Sequence, residues 1–235
     1  MEVYEAMRGA PTTRRFTAED VSAETLRHVL NNARFAPSGG NRQAWRLVAV
    51  RDAETRRALG ELYLPHWRQY MQSTGAAAVL ANPGSVDPKR LRMVERADEF
   101  ARSLHEIPLH LVICAELSEL AIVDAGLERP SIVGGASVYP FVQNLLLGLR
   151  TEGLGAALTT LLAPAEAEVK ALLGIPDGVV LAAYVLVGHR ADPWPTRLSR
   201  RPVEEFAFAE RYGVALWGCG ASCERSSASS SSLIE

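Results

Sequence analysis

The chain has 235 residues, of which 48% are hydrophobic and 22% are charged, and its formal net charge is -2 at pH 7. This length and balance are typical of a globular protein with one good-sized core, and one α/β domain is the default expectation. A net charge near zero gives no electrostatic reason to expect nucleic acid or an anionic membrane as a partner.

Targeting and membrane segments are not expected either. The opening residues MEVYEAMRGA mix acidic and basic side chains and contain no continuous apolar region, which argues against a signal peptide. No apolar run approaches the roughly 20 residues that a membrane-spanning helix requires. The three cysteines are Cys114, Cys219 and Cys223. An odd number of cysteines without the spacing of a disulfide framework favours a reducing cytoplasm.

The first strongly patterned element is a helix between Val21 and Ala36, with Ser22 placed to cap it. A polar loop follows, FAPSGGNRQAW, from Phe35 to Trp45. The loop joins a proline and two adjacent glycines to uncharged hydrogen-bonding side chains, a combination that suits a ligand site. An ordinary helix-to-strand turn is the alternative interpretation.

The rest of the chain alternates predicted strands and helices, which indicates an α/β or α+β sheet covered by helices. A segment from Gly75 to Pro88 breaks the pattern and is interpreted as an excursion that covers a site. The predicted elements are a strand from Leu47 to Val50, a helix capped by Asp52, a helix from Lys89 to Leu104, a strand from Leu109 to Ala115, a helix from Pro130 to Arg150, a strand in GLGAALTTLL, a helix from Pro164 to Leu173 and a strand from Val179 to Val187.

Several kinds of site are not predicted. The five histidines show no metal-ligand spacing, and no metal is expected. The sequence has no G-x-S-x-G elbow and no P-loop. Gly153 and Gly155 begin a dinucleotide fingerprint, but Leu158 stands where the third glycine belongs. A nicotinamide nucleotide would therefore visit an open site.

Three polar clusters are candidates for binding a phosphorylated ligand. Thr12, Thr13, Arg14 and Arg15 place hydroxyls beside guanidinium groups, which suits a phosphate clamp, although a solvated basic turn is the alternative. A second basic cluster, TRLSRRP, follows the last strong strand. The third is the hydroxyl pair at 159 and 160, which is also an ordinary composition for a strand.

Taken in order, these pieces resemble the nitroreductase superfamily of FMN-dependent oxidoreductases, from Val3 to about Tyr212. The block TRRFTAEDVSAETLRHVLNNARFAPSGGNRQAWRLVAV is similar to the family's opening, VQNLLLGLRTEGLGAALTTLL to its central helix and flavin-facing strand, and VLVGHRADPWPTRLSRRPVEEF to its closing block. The TTLL variant is nearer to the iodotyrosine-dehalogenase-like branch than to the branch with an acidic residue there.

The resemblance implies an α+β fold, a three-layer α/β sandwich with a mixed, mainly antiparallel central sheet flanked by helices. It also implies one FMN-binding domain over residues 1–217. The serine-rich composition of residues 218–235, with almost nothing to bury, separately predicts a disordered tail. The protein would be a homodimer with FMN at the subunit interface, touched by both chains. It would be cytoplasmic, with a small-molecule acceptor and with neither nucleic acid nor membrane as a partner.

The resemblance assigns site residues by position. Thr12, Thr13 and Arg14 match the N-terminal phosphate and ribityl contacts, and Arg200, helped by Arg197 and Arg201, matches the C-terminal phosphate contact. Pro37, Ser38, Gly39 and Asn41 match contacts to the flavin of the partner subunit. Leu158 and Thr159 match positions beside the flavin. Thr160 matches the residue that hydrogen-bonds near N5, and it is the one catalytic position.

The implied function is FMN-dependent oxidation of NAD(P)H with reduction of nitroaromatic, quinone or related small organic acceptors by a ping-pong mechanism. The alternatives are a specialised flavin reaction, namely reductive dehalogenation or flavin breakdown, and a non-catalytic flavin-binding protein. Iodotyrosine dehalogenases hold a zwitterionic substrate with an acid, a tyrosine and a lysine in the region that corresponds to residues 63–104 of this chain. The sequence does not present the complete set of three there.

The chain departs from the family pattern at three places. Ala10 and Pro11 stand where an arginine pair is common, and Arg8 is a candidate to compensate. Ala44 replaces the usual proline before Trp45. Pro140 falls inside the predicted central helix and is expected to shift its start.

Overall fold

A computed structural model describes residues 1–196 and 198–217. The chain divides into two compact units, Met1–Thr196 and a second unit that starts at Arg197. Among the described residues, the α-helices and strands all lie in the first unit. They are α1 (Val3–Gly9), α2 (Ala23–Ala33), β1 (Trp45–Val50), α3 (Ala53–Ser73), α4 (Ala76–Ala81), α5 (Pro88–Arg102), β2 (Leu109–Glu116), α6 (Tyr139–Thr151), β3 (Gly155–Thr159), α7 (Glu166–Leu173) and β4 (Val179–Gly188).

Two of the sequence predictions concern residues that the structure does not describe. The serine-rich tail at 218–235 and Arg197 lie beyond the described residues. The single domain predicted over 1–217 stays a prediction. Within the described part of the chain, no helix combines the length and the apolar character needed to cross a membrane.

The four strands form one sheet in the order β1-β2-β4-β3, and each neighbouring pair is antiparallel. The mixed character comes from an isolated bridge, in which Thr12 pairs in parallel with Ala156 of the edge strand β3. The predicted mixed, mainly antiparallel sheet is confirmed. Because β1 and β3 are the two edge strands, a segment attached to β1 and a segment attached to β3 lie at opposite edges of the sheet.

The sheet lies between two helical layers, as predicted. Val112 and Cys114 of β2 belong to a core cluster with α3, α5 and α7, whereas Leu111 and Ile113 belong to the cluster with α2 and α6. All four side chains are buried because alternate residues of a strand face opposite sides. Each fully buried aliphatic side chain contributes about 1.5–3 kcal/mol through removal from water, so this strand anchors both cores.

Local hydrogen bonds explain where three of the helices begin. The Ser22 hydroxyl accepts from the backbone N–H of Thr25 at 2.9 Å, which confirms the predicted cap of α2. The Asp52 carboxylate accepts from the N–H of Thr55 at 2.8 Å at the start of α3. Asp87 caps α5 in the same way. The helix α3 then continues through Pro65.

The central helix α6 is shorter than predicted. It begins at Tyr139 rather than at Pro130, and Pro140 lies in its first turn, where a missing N–H costs nothing. The preceding loop is held by Asp124, whose carboxylate accepts from the Ser131 hydroxyl at 2.6 Å and from the Ile132 N–H at 3.0 Å. These hydrogen bonds, first that of Ser131, lower the pKa of Asp124 to about 2. The short helix α1 was not predicted.

Candidate functional site

A cavity of about 570 Å³ opens beside the edge strand β3. Its floor is the end of β3 and the residues that follow, from Ala157 to Leu161, and its walls come from α3 and α5. Thr12 and Arg14 of the N-terminal segment complete it. The structure therefore brings together two of the three polar clusters, although they are far apart in sequence.

The two threonines at the end of β3 play different parts. The Thr159 hydroxyl lies 3.3 Å from the Tyr63 hydroxyl and accepts from the N–H of Leu161 at 3.2 Å. Burial raises the pKa of Tyr63, so its phenol stays protonated at neutral pH. The Thr160 side chain is exposed, and its hydroxyl has no hydrogen-bond partner among the described residues. It can therefore bind a ligand in the cavity.

The wall opposite β3 is aromatic and apolar, and its central side chain is fixed. Trp67 donates from Nε1 to Oδ1 of Asp98 at 2.9 Å, and the other oxygen of Asp98 accepts from Arg102 Nε at 2.7 Å. Tyr70 and Met93 extend this wall. An apolar wall suits the flat face of an aromatic ligand, and the hydrogen bond from the Trp67 indole to Asp98 holds the ring of Trp67 in place.

The N-terminal segment is attached to β3 by backbone pairing. Thr13 N–H donates to the Ala156 carbonyl at 2.8 Å. The Thr13 side chain is only 1% exposed, and its hydroxyl accepts from Arg190 Nη1 at 2.7 Å. The Thr13 hydroxyl is thus engaged inside the protein, whereas Thr12 and Arg14 on either side are exposed at the cavity.

An arginine from α6 lies where the family's N-terminal arginine pair is missing. Arg150 Nε donates to the Gly9 carbonyl at 2.6 Å, and its guanidinium stands 3.7 Å from the centre of the Trp194 ring. Ala10 and Pro11 line a small cavity of about 70 Å³ together with Arg150. Arg8 is exposed and lines neither cavity.

Sequence reasoning missed Arg150 and Arg190 as residues of this region. The available signal for Arg190 was its place directly after the strongest strand. For Arg150 it was a cation in the last turn of the most apolar helix. Neither signal indicated which segment the guanidinium would contact, because both partners lie more than a hundred residues away.

The loop from Phe35 to Trp45 lies at the other edge of the sheet, because it leads into β1. None of its residues lines the cavity beside β3. The Ser38 hydroxyl accepts from the Gln43 N–H at 3.0 Å, and the Gly39 N–H donates to the Ser137 hydroxyl at 3.0 Å. The backbone has positive φ angles at Gly40 and at Asn41, conformations that favour glycine and asparagine. Pro37, Gly39 and Asn41 are exposed.

The C-terminal basic cluster belongs to the second unit. There Arg200 Nη1 donates to the carbonyl of Ser199 at 2.7 Å, and the Arg200 side chain is exposed. Across the residues that the structure describes, no group of three or more histidine, cysteine or acidic side chains is arranged to hold a metal ion.

Comparison with known proteins identifies the family. An NADH dehydrogenase of Thermus thermophilus is 29% identical to this chain over 87% of the chain and 90% of the relative. An iodotyrosine deiodinase of Thermotoga neapolitana is 28% identical over 82% of this chain and 91% of the relative. A nitroreductase structure with bound FMN from Desulfitobacterium hafniense has the same fold, with a TM-score of 0.63 at 20% identity over 89% of this chain and all of that one. Residues 7–189 match the profile of the Nitroreductase family, and the chain belongs to this family of flavin-dependent oxidoreductases.

Proposed function

We propose that this protein is an FMN-dependent NAD(P)H oxidoreductase that reduces nitroaromatic, quinone or related small organic acceptors in a ping-pong cycle. The observation that carries the proposal is the cavity beside β3, which combines an apolar wall, exposed hydroxyls and a cation in one site. FMN is a flat aromatic ring with a polar edge, joined to ribityl hydroxyls and a phosphate, and each part has a complementary group here.

The assignment of residues follows from these groups. Trp67 and Met93 form a surface for the flat ring. Thr160 offers its hydroxyl to the reactive edge near N5, with Leu158 beside it. Thr159 holds Tyr63 in position rather than binding the ring itself. Thr12 and Arg14 would bind the ribityl and phosphate groups, while Thr13 positions Arg190 behind them.

The protein contributes position and shelter, since FMN when bound accepts a hydride and passes electrons to an acceptor. The described lining of this cavity contains no histidine and no carboxylate. No side chain there is suited to act as a general base near neutral pH, so the residues orient the reactants and limit the access of water. One shared cavity for donor and acceptor favours alternating occupancy, as in a ping-pong cycle.

The loop at the opposite edge of the sheet is assigned to the partner's cofactor. Pro37, Ser38, Gly39 and Asn41 do not reach the cavity of their own chain. In a homodimer they would contact the FMN bound mainly by the other subunit. Arg200, with Arg197 and Arg201, stays a proposed contact to an FMN phosphate. A cytoplasmic location belongs to the same proposal.

Reductive dehalogenation is the second candidate, because an iodotyrosine deiodinase is among the relatives. A zwitterionic amino-acid substrate needs a carboxylate for its ammonium group. The cavity offers Tyr63 and Tyr70 and the cations Arg14 and Arg90, but its described lining has no acidic residue. This charge pattern favours neutral or anionic acceptors and places dehalogenation second.

The test uses the purified full-length protein. We expect a yellow protein that releases one FMN per chain on denaturation and oxidises NAD(P)H when a nitroaromatic or a quinone is supplied. Initial rates over a grid of both substrates should give parallel double-reciprocal lines. A colourless protein that FMN does not reconstitute would overturn the proposal. Bound FMN without any turnover would leave only a flavin-binding protein, and turnover with iodotyrosine alone would favour the second candidate.

A further inference from the structure

A second cavity, of about 590 Å³, lies next to the first and has the opposite character. The two share Thr12, Arg14, Arg90 and Met93, so a ligand in one can extend into the other. The first cavity is mostly apolar, whereas the second is lined by side chains of α5 and of the N-terminal segment that are mainly cationic. Such a junction suits a molecule with an aromatic end and a polyanionic end.

The cations of α5 form one exposed face. Lys89, Arg90, Arg92 and Arg96 all line the second cavity. Arg92 and Arg96 are four residues apart and are neighbours on the helix surface, where like charges destabilise a helix. Among the described residues, the ion pairs of α5 involve only Arg102 with Asp98. An anionic ligand would remove this repulsion.

The two carboxylates that line the cavity are already engaged. Asp87 accepts from the backbone N–H groups of Lys89 and Arg90 at 2.9 and 3.1 Å, and so serves as the cap of α5. Asp192 is paired with Arg15 at 2.9 Å. The positive charge of Arg92 and Arg96 therefore faces the cavity without a protein counter-ion in the described part of the chain.

The number of cations exceeds what FMN requires. One phosphate carries a charge of about -1.5 to -2 at neutral pH, and Arg14 is assigned to it. The four cations of α5 remain, and they suit several more phosphate charges. A reduced nicotinamide dinucleotide brings a pyrophosphate, and its phosphorylated form adds a further phosphate on the adenosine ribose. The larger anion matches the larger cluster.

We propose that the α5 face of Arg92 and Arg96 binds the ribose phosphate of NADPH and makes the enzyme prefer NADPH to NADH. This inference rests on the proposed function, because the nicotinamide end must reach the flavin cavity. It assigns specificity to α5, which sequence reasoning treated only as a charged helix. The guanidinium groups supply directional, charge-assisted hydrogen bonds to phosphate oxygens.

The test compares the wild type with the double variant Arg92→Gln, Arg96→Gln. The control is Arg68→Gln, an exposed arginine of α3 that lines neither cavity. We expect the double variant to raise the KM for NADPH by about a hundredfold, because it loses two charge-assisted bonds and each loss weakens binding roughly tenfold. Its KM for NADH and its kcat should stay within about twofold of the wild type, and the control should behave like the wild type.

Calorimetry makes the failure of this inference distinguishable from the failure of the proposed function. Adenosine 2′,5′-bisphosphate should bind the wild type more tightly than adenosine 5′-phosphate, and the double variant should lose that difference. This readout needs no turnover, and the FMN content of each preparation is measured separately. Equal affinity for the two nucleotides, or equal KM increases for NADPH and NADH, would overturn the inference even in an active yellow enzyme.

Discussion

His110 and Tyr184 form a buried polar pair between the sheet and the helix layer that contains α3. The Nε2 of His110 lies 2.8 Å from the Leu104 carbonyl, so this nitrogen must carry the proton and donate it. The Nδ1 then accepts from the Tyr184 hydroxyl. Both side chains are almost completely buried, and the arrangement satisfies them only while the imidazole is neutral.

This pair predicts a pH dependence of stability. Burial, assisted by the charge of Arg56, lowers the pKa of His110 from 6.5 to about 4. The unfolded chain binds this proton below pH 6.5 and the folded chain only below about 4. As the pH is lowered from 6.5 to about 4, the free energy of unfolding therefore decreases by about 3 kcal/mol. Below pH 4 this contribution no longer changes.

Urea unfolding of the wild type and of His110→Gln between pH 7 and pH 4 checks this expectation. Glutamine keeps one donor and one acceptor but does not titrate, so its stability should depend less on pH. His66→Gln, at a half-buried histidine of α3, serves as the control. If His110→Gln and the wild type lose stability equally on acidification, His110 is not the group responsible.

Thr160 carries the proposed contact to the reactive edge of the flavin. With FMN bound, the Thr160 hydroxyl would hydrogen-bond to the edge that carries N5 and would favour the first one-electron reduction relative to the second. Thr160→Ala should shift the gap between the two one-electron potentials by about 40 mV, the equivalent of one hydrogen bond of about 1 kcal/mol. Thr160→Ser retains the hydroxyl and should retain the gap. Redox titration with spectral detection measures both, and an unchanged gap in Thr160→Ala contradicts the assignment.

The strand β3 is the element that assembles the site, because the N-terminal segment pairs with it on one side. Gly155, its first residue, allows a close approach. A Cβ at this position would stand 2.6 Å from the Thr13 hydroxyl oxygen and 2.7 Å from Arg190 Cγ. The glycine is thus required by its neighbours, and its φ angle is not unusual.

Gly155→Ala should destabilise the protein by about 1–3 kcal/mol, the usual range for forcing an extra methyl group into a packed site. It should also weaken FMN binding, because displacement of Thr13 moves Thr12 and Arg14. Gly126→Ala is the matched control, since a Cβ there meets no atom within 4 Å. Denaturant unfolding and FMN titration of both variants test the expectation. Equal stability of the two variants would show that β3 and the N-terminal segment separate easily.

The first unit exposes apolar side chains that a single chain does not cover. Val3, Tyr4 and Met7 of α1 are exposed, and Ala6 is its only buried residue. Tyr139, at the start of α6, is exposed as well. Clustered apolar side chains on a surface mark an interface more often than a solvated face. This feature supports the proposed homodimer.

If the partner subunit supplies part of each FMN site, dilution should release the cofactor. We expect FMN fluorescence to rise as the protein is diluted through its dimer dissociation constant, in step with the monomer fraction from sedimentation. Met7→Glu should shift both transitions to higher protein concentration, because a charge at the interface is costly to bury. Leu172→Glu, at an exposed position of α7, should not. FMN retention by a monomer would contradict the shared site.

Short-range features were predictable because consecutive residues carry them. The caps at Ser22 and Asp52, the apolar periodicity of α2 and the apolar runs of β2 and β4 depend on neighbours within a few positions, and the structure confirms each of them. The order of these elements also sufficed to predict the family and the layered sheet. The start of α6 was misplaced because apolar residues before Tyr139 extend the helical pattern into a loop that Asp124 organises.

The composition of the site was decided by tertiary packing. The sequence alone determined that hydroxyls and cations are present at 12–15 and that hydroxyls are present at 159–160, and it identified the loop before β1 as polar. Only the fold turns Thr13 inward to Arg190, brings Arg150 to Gly9 across 141 positions, and places four cations of α5 next to the cavity beside β3. The physical reason is that side-chain direction and long-range proximity depend on how the helices pack against the sheet, and no local pattern encodes that packing.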